Sequence, residues 1–388
     1  MLKIIKGILQ LIILLPAFTQ GQVTKEIIIH SKELNTDRKI WINTPAFYEL
    51  GKDSLHLLFL LDGNNRSLFE YTVAAKRFIE GNSVDLSDFK APESVIVGIE
   101  QAEDRWEDFG DSIHSAQFLS FMENELLPYV TSHYRTVNYK ILAGHSLGAR
   151  FAINTLLDKP GLFNAVIAAS PAFSQKATKQ VLAKFDAFFN TPLQYDKALY
   201  FSTTYSKGDG TEEGFREFFE SLQKYLELKN VKNFRFQSGS SATLGHAKSP
   251  YFSIPEGLHF IYSPLLWQLP PDSLFSNRSG AAIAVKNYQQ QIQKHFGVGI
   301  SIHPYVPVLV DELLKSNKTK QAIALLKEEV NNQPADISLY AQLLALLKKN
   351  NAADYQSYQA KLTEIFSLVK TPVKEQNEWL EWIEKNSR

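Results

Sequence analysis

Short apolar runs recur along the first two thirds of the chain. Several are almost uninterrupted, such as LHLLFLL at 55–61 and AVIAAS at 165–170. Runs of this kind are typical of strands buried on both faces, as in a parallel sheet covered by helices on each side. The predicted strands are Glu26–His30, Lys39–Asn43, His56–Leu61, Ser94–Ile99, Tyr139–Ala143, Asn164–Ala169, Ala198–Thr203 and Asn233–Gln237.

Segments with apolar residues at helical spacing lie between these strands. Examples are FLSFMENELLPYVTSHY at 118–134 and EGFREFFESLQKYLEL at 213–228. Strands that alternate with helices in this way predict an α/β class fold with a doubly wound, mostly parallel sheet. We assign this predicted domain to residues 22–275.

The strand pattern stops near residue 275, and the rest of the chain has a helical pattern. SNRSG at 276–280 is a plausible linker. LLKSN at 313–317 recurs as LLKKN at 346–350, an offset of 33 residues. Helix pairs at this period resemble tetratricopeptide (TPR-like) repeats. Residues 280–388 are therefore predicted to form a C-terminal all-helical extension, either TPR-like or a plain set of helices that packs on the preceding domain.

The N-terminal residues have the order of a secretory signal. Lys3 and Lys6 precede an apolar stretch from Ile8 to Phe18, and small residues follow at a cleavage spacing. This order predicts a cleaved signal peptide at 1–21, and a secreted or periplasmic protein without a membrane span in its mature form. The apolar stretch is short for a bilayer span. A buried N-terminal helix or a membrane anchor is the alternative.

Composition narrows the class of protein further. The chain of 388 residues is 44% hydrophobic and 21% charged, which suits a soluble globular protein with a large core. A formal net charge of zero argues against a nucleic-acid partner. The absence of cysteine excludes disulfides and cysteine nucleophiles. The sequence contains no metal-ligand motif and no phosphate or dinucleotide loop, so we predict neither a metal nor a cofactor.

One motif contains a candidate nucleophile. GHSLG at 144–148 places Ser146 between two glycines, directly after the apolar run YKILA and directly before the helical pattern LGARFAINTLLDK. A strand, a sharp turn and a helix are the setting of a nucleophile elbow in the α/β-hydrolase fold. The glycines suit a turn in which side chains would collide with neighbouring backbone. A glycine-rich turn without chemistry is the alternative interpretation.

A serine hydroxyl needs a base, and in this fold an acid and then a histidine follow the serine along the chain. His246 lies in a polar loop after the last predicted strand and is the predicted base. The acid is expected after the strand at 198–203, where Asp209, Glu212 and Glu213 occur. We favour Asp209 because it lies between glycines. Glu213 is the second choice. Glu212 and Glu213 could equally be residues of the first turn of a helix, where acids complement the helix dipole.

An oxyanion hole in this fold takes one amide from the residue after the nucleophile and one from the loop after the third strand. Leu147 supplies the first. In the loop LLDGNNR at 60–66, Gly63 or Asn64 is the predicted second donor, although this segment also has good turn chemistry.

Several segments, in order, resemble the putative-esterase family, which includes esterase D-like enzymes and periplasmic trilactone siderophore esterases. They are LLFLLDGNN, VIVGIEQAEDRWEDF, FLSFMENELLPYVTSHYRT, ILAGHSLGARFAI, AVIAASPAF and GHAKSPYFSIPEGLHFIY. The resemblance covers roughly residues 23–265 and implies a serine ester hydrolase. It departs from the family pattern at Ala247 and Lys248, and no acid position matches cleanly. Arg105 and Asp108 are interpreted as a salt-bridged loop brace, with a substrate-binding role for Arg105 as the alternative.

These observations predict a serine hydrolase that acts on carboxylic esters through Ser146, His246 and an acid. The expected substrate is a small-molecule or polysaccharide-linked ester. An acyltransferase with the same triad and a non-catalytic binding protein are the alternatives. The helical extension needs a surface against which to bury its apolar faces. That surface is either a partner protein or the hydrolase domain, where the extension could overhang the mouth of the active site.

Overall fold

The computed structural model describes residues 23–80, 91–110, 113–193, 196–205, 208–229, 231–267, 280–299 and 301–387. The predicted signal peptide at 1–21 and all but the last residue of the predicted linker at 276–280 lie outside these residues. Every helix within the described ranges falls short of the length and apolarity that a membrane span requires.

The sheet has eight strands, and each predicted strand is present. They are β1 (Val23–Ser31), β2 (Thr36–Thr44), β3 (Leu55–Leu60), β4 (Ser94–Ile99), β5 (Thr136–His145), β6 (Ala165–Ala169), β7 (Lys197–Thr204) and β8 (Phe234–Ser241). Their spatial order is β1-β2-β4-β3-β5-β6-β7-β8. Strand β1 runs antiparallel to β2, and β2 runs antiparallel to β4. The six strands in the order β4-β3-β5-β6-β7-β8 are parallel to one another. The carboxyl ends of these six therefore share one edge of the sheet.

Helices follow most strands, as the alternating pattern predicts. Those of the α/β domain are α1 (Arg66–Glu80), α2 (Arg105–Phe109), α3 (Ile113–Phe121), α4 (Leu127–His133), α5 (Leu147–Asp158), α6 (Thr178–Phe189), α7 (Gly210–Leu228) and α8 (Ser249–Trp267). A π-helical turn, Met122–Leu126, joins α3 to α4, and 3-10 turns at Gln175–Ala177 and His246–Lys248 precede α6 and α8. The later helices are α9 (Ala281–Phe296), α10 (Val306–Lys315), α11 (Thr319–Asn332), α12 (Ile337–Lys349), α13 (Tyr355–Leu368) and α14 (Val373–Asn386).

The continuous apolar strands bury side chains on both faces of the sheet. Leu57 and Phe59 of β3 belong to a cluster with residues of α3, α5, α6 and α7. Leu58 and Leu60 of the same strand belong to a second cluster with residues of α1, α8 and α9. Alternate side chains of a strand point to opposite faces, so a strand covered on both sides has no polar face.

Helix α9 packs in the core of the α/β domain, although the predicted boundary at 280 places it in the extension. The Phe296 ring lies 4.9 Å from that of Tyr139 and 6.0 Å from that of Tyr262. Ile292 is fully buried in the same cluster. The apolar face of this helix completes the helical layer that covers the second face of the sheet.

The remaining helices have a core of their own. Buried residues from Val306 to Ile383 form a third cluster, separate from the two that cover the sheet. Each of α10, α11 and α12 packs on the next helix, and α14 also packs on α12. Neighbour-on-neighbour packing is how helical repeats bury their apolar faces. The TPR-like relationship itself stays a prediction.

This helical unit contacts the domain at the edge of the sheet opposite to the carboxyl ends of the strands. Asn332 O accepts a hydrogen bond from Lys52 N at 3.2 Å, and Gln333 Nε2 donates to Asp53 Oδ2 at 2.6 Å. Lys52 and Asp53 immediately precede β3, so they mark the amino edge. These contacts do not support the expectation that the extension overhangs the active-site mouth, because Ser146 follows the carboxyl end of β5.

A charged cluster ties this unit together. Nε2 of His303, which precedes α10, lies 3.1 Å from Asp336 Oδ2, and its Nδ1 lies 3.8 Å from Glu329 Oε2. Burial lowers the pKa of His303, but the two carboxylates outweigh burial and raise the pKa to about 9. The imidazole is therefore protonated at neutral pH and holds the segment before α10 against α11 and α12.

Substitution of Phe296 should destabilise the α/β domain. We expect Phe296→Ala to lower the free energy of unfolding by about 3 to 5 kcal/mol, because it removes a buried ring and leaves a cavity. The exposed Lys294 on the same helix provides the control, and Lys294→Ala should change stability by less than about 0.5 kcal/mol. Urea unfolding followed by circular dichroism measures both. Equal effects of the two substitutions would show that α9 is not part of the core.

The His303 cluster should make stability depend on pH. Because folding raises the pKa of His303 from 6.5 to about 9, its contribution is complete below pH 6.5 and is lost as the pH rises through 9. The difference in unfolding free energy between the wild type and His303→Gln should therefore shrink between pH 7 and pH 10. The loss should be at most about 3 kcal/mol. A constant difference across this range would contradict the proposed pairing.

Candidate active site

The strand, turn and helix expected around Ser146 are present. Ser146 follows β5 and precedes α5, with φ 57° and ψ −117°, a conformation that non-glycine residues rarely adopt. A Cβ on Gly144 would lie 2.5 Å from Gly148 O, and one on Gly148 would lie 3.2 Å from Asp62 Oδ2. The backbone of the turn is fixed by hydrogen bonds, since Ser146 N donates to Ala169 O at 2.9 Å. Contact distance therefore requires glycine at 144, whereas a side chain at 148 would require the Asp62 carboxylate to move by a few tenths of an ångström.

His246 lies beside this turn and pairs with a buried carboxylate. It begins the 3-10 turn after β8, and its ring centroid is 4.7 Å from that of His145. Its Nδ1 lies 2.6 Å from Glu212 Oε1. Oε2 of Glu212 accepts hydrogen bonds from Thr203 Oγ1 at 2.8 Å and Thr204 N at 3.1 Å. The carboxylate thus has partners for both oxygens.

These partners keep Glu212 ionised, although its side chain is only 1% exposed. Burial raises the pKa of the carboxyl group, but hydrogen bonds from His246, Thr204 and Thr203 lower it to about 2. An anion next to Nδ1 favours the tautomer with the proton on Nδ1, which leaves Nε2 free to accept a proton. The pair has the arrangement of an acid that orients a general base.

Asp209 and Glu213, the residues favoured from the sequence, do not face the imidazole. Asp209 is the N-cap of α7, where Oδ1 accepts from Thr211 N and Glu212 N. Glu213 is exposed, because it follows Glu212 by about 100° around the helix and points to solvent. The geometry therefore does not support Asp209 or Glu213 as the acid, because Glu212 is the carboxylate that contacts the imidazole.

The spacing of Asp209 and Glu212 in the sequence indicates which of the acids caps the helix. Asp209-x-x-Glu212 has the spacing of an N-cap residue and the N3 residue of a helix. That spacing assigns Asp209 to capping, and the structure places Glu212 on the buried side of the first turn.

The two candidate oxyanion donors after β3 differ in their partners. Gly63 N donates to Ile99 O at 2.7 Å, so its amide is already used. The amide of Asn64 has no acceptor among the described residues, and Asn64 is exposed. Leu147 begins α5, and the first amides of a helix have no acceptor within it. The amide of Gly63 is therefore not available as a donor, while Leu147 and Asn64 stay the predicted donors.

Arg105 braces the loop after β3 against the turn at Ser146. Its Nε and Nη2 donate to the two carboxylate oxygens of Asp62, both at 2.8 Å, and Nη2 also donates to His145 O at 3.0 Å. Asp108, the partner expected from the sequence, pairs with Arg38 Nη2 at 2.7 Å instead. Asp62 lies next to Gly63 and was missed, because a carboxylate in a turn gives no pairing signal in the sequence.

A comparison with protein-family models identifies the family of the chain. The family model described as "Putative esterase" matches residues 31–252. The chain belongs to the putative-esterase family. It is therefore a hydrolase that acts on esters, as the resemblance implied. A search of curated proteins finds no match.

Solved structures share the fold of this esterase. An IroE-like serine hydrolase from Shewanella oneidensis is 18% identical with a TM-score of 0.60, and the alignment covers 80% of this chain and 99% of that one. An uncharacterised protein from Capnocytophaga ochracea is 17% identical with a TM-score of 0.58, covering 94% and 99%. The BES protein from Bacillus cereus is 21% identical with a TM-score of 0.52, covering 61% and 94%. At these identities the likeness shows the α/β-hydrolase fold alone.

The close approach of the β3 loop to β4 should make Gly63 sensitive to substitution. A Cβ at this position would lie 2.5 Å from Gly98 C and from Ile99 N, both backbone atoms. We expect Gly63→Ala to lower the free energy of unfolding by about 1 to 3 kcal/mol and to reduce ester hydrolysis, since the loop must shift. Gly214→Ala is the control, because nothing lies within 4 Å of that site. A Gly63→Ala protein as stable and as active as Gly214→Ala would contradict the packing.

Proposed function

We propose that the protein is a secreted or periplasmic serine esterase that hydrolyses carboxylic esters through a Ser146-His246-Glu212 triad and an acyl-enzyme. The observation that supports this most is the 2.6 Å contact between His246 Nδ1 and the ionised Glu212, directly beside the turn that carries Ser146. The predicted signal peptide supports the location. The proposed substrate is a small-molecule or polysaccharide-linked ester.

In the first half of the proposed reaction, Ser146 Oγ attacks the ester carbonyl carbon while Nε2 of His246 takes the hydroxyl proton. The imidazolium that forms is stabilised by the anionic Glu212 at Nδ1. The amides of Leu147 and Asn64 donate to the oxyanion of the tetrahedral intermediate. When the intermediate collapses, His246 gives its proton to the leaving alcohol, and the acyl group stays on Ser146.

In the second half, water replaces the alcohol. His246 takes a proton from the water as it attacks the acyl carbon, and then returns the proton to Ser146 Oγ as the acid product leaves. His145 does not interfere with this proton transfer. Burial, together with the charges of His246 and Arg105, lowers the pKa of His145 to about 3, so it stays neutral beside the imidazolium.

Activity of three variants on p-nitrophenyl esters tests the proposal. Ser146→Ala should lose on the order of 10⁴-fold or more in turnover, and Glu212→Gln about 10² to 10⁴-fold, because the imidazole loses its anionic partner. Glu213→Gln is the matched control on the same helical turn, and its turnover should stay near that of the wild type, since Glu213 is exposed. A fluorophosphonate probe should label Ser146 in the wild type.

Two results would contradict this mechanism. Hydrolysis that survives Ser146→Ala would remove Ser146 as the nucleophile. A loss in Glu213→Gln with full activity in Glu212→Gln would assign the acid differently. Product analysis in the presence of glycerol separates hydrolysis from acyl transfer, because a transferase would form the glycerol ester.

A further inference from the structure

The loop that carries His246 has little packing to hold it. Residues 242–248 include no buried side chain, and the first buried position after β8 is Ser249. Surface loops of this kind are mobile unless hydrogen bonds fix them. A base that must stay within hydrogen-bond reach of a nucleophile needs another source of order.

The backbone of His246 supplies that order at both of its polar atoms. Its N–H donates to Asp209 Oδ2 at 2.7 Å. Its carbonyl oxygen accepts from His145 Nε2 at 3.0 Å. Together with the Nδ1 contact to Glu212, three side chains therefore hold one residue. Two of these side chains belong to the start of α7, and the third belongs to the turn at Ser146.

Asp209 connects the two parts of the site that must move together. Oδ1 accepts from Thr211 N at 3.2 Å and Glu212 N at 3.4 Å, while Oδ2 takes the His246 amide. One carboxylate thus fixes both the helical turn that carries Glu212 and the loop that carries His246. A displacement of either would be transmitted to the other through this single group.

His145 makes the corresponding connection to the nucleophile. It is the residue directly before Ser146, so its ring is fixed by the same turn that fixes the serine. A carbonyl oxygen only accepts, so Nε2 of His145 carries the proton in this contact. The neutral state of His145 is consistent with that tautomer. The distance from the serine backbone to the base is thereby defined by one hydrogen bond.

We propose that Asp209 and His145 are positioning residues that clamp the backbone of His246 from both sides and so align its Nε2 with Ser146. This inference rests on the triad proposed above. The clamp acts on kcat, because alignment of the base matters in the transition state. We expect it to leave substrate binding unchanged, since both contacts are made to the backbone of His246. A misplacement of about 1 Å costs on the order of 10²-fold in rate.

Isosteric variants separate this role from a general structural one. In Asp209→Asn, an amide oxygen still caps α7, because asparagine is as good an N-cap as aspartate. The amide nitrogen, however, replaces the oxygen that faces His246 N. In His145→Gln, the side-chain amide provides a donor near the position of Nε2, whereas His145→Leu provides none.

The expected results follow from these contacts. Asp209→Asn and His145→Leu should each lower kcat by about 10- to 100-fold with KM within about twofold. The rate of fluorophosphonate labelling should fall in parallel. His145→Gln should recover most of the kcat that His145→Leu loses. The double variant Asp209→Asn/His145→Leu should lose less than the product of the single effects, because both act on the same residue.

Failure of this inference differs from failure of the triad. If Ser146→Ala abolishes hydrolysis while Asp209→Asn and His145→Leu keep the kcat of the wild type, the clamp is refuted and the triad stands. If Ser146→Ala retains hydrolysis, the triad is refuted. A change in KM alone, or effects that multiply independently in the double variant, would also overturn the clamp. Thermal unfolding of each variant shows whether a loss of kcat reflects loss of folded protein.

Discussion

The backbone at Ser146 is held in a left-handed conformation that costs a non-glycine residue on the order of 1 to 3 kcal/mol. It persists because the surrounding backbone fixes the turn, with Ser146 N bonded to Ala169 of β6 and Gly144 in close contact with the backbone of Gly148. Asp62 after β3 and Ser170 after β6 also have positive φ values. Three strained residues therefore lie at the carboxyl edge of the sheet, and the core beneath them provides the stability that offsets the cost. The site depends on this arrangement, since the same turn fixes Ser146, the Leu147 amide and the His145 ring.

The fold could be predicted from the sequence wherever the pattern of apolar residues distinguishes a buried strand from a helix. Strands such as β3 and β6, which lie between two helical layers, are nearly all apolar, so their burial on both faces could be predicted from the run itself. The packing of helix α9 could not be predicted in this way. Its pattern is amphipathic like that of α10 to α14, and nothing local distinguishes a helix that covers the sheet from one that packs on other helices. Only the contacts of Phe296 with Tyr139 and Tyr262 assign it.

The residues of the candidate site also fall into those that local sequence patterns predict and those that they do not. Ser146 and the neighbourhood of His246 could be identified because glycine spacing and chain order are local signals. The carboxylate could not, since Asp209, Glu212 and Glu213 are three acids within five positions and only the helical start decides which of them points inward. Gly63 and Arg105 depend on partners about 36 and 43 residues away, Ile99 and Asp62. The sequence contains those partners but does not show that they meet.

The contact of the helical unit with the amino edge of the sheet determines how the enzyme can be presented to its surroundings. Asn332 and Gln333 hold the unit against the residues before β3, which is the side of the sheet away from Ser146. A solid support, a fused protein or an envelope component joined through these helices would therefore be attached at the back of the catalytic domain. The face that carries Ser146 would stay directed outward. An immobilised form of this protein could then act on esters of a large insoluble polymer without its own anchor blocking the approach.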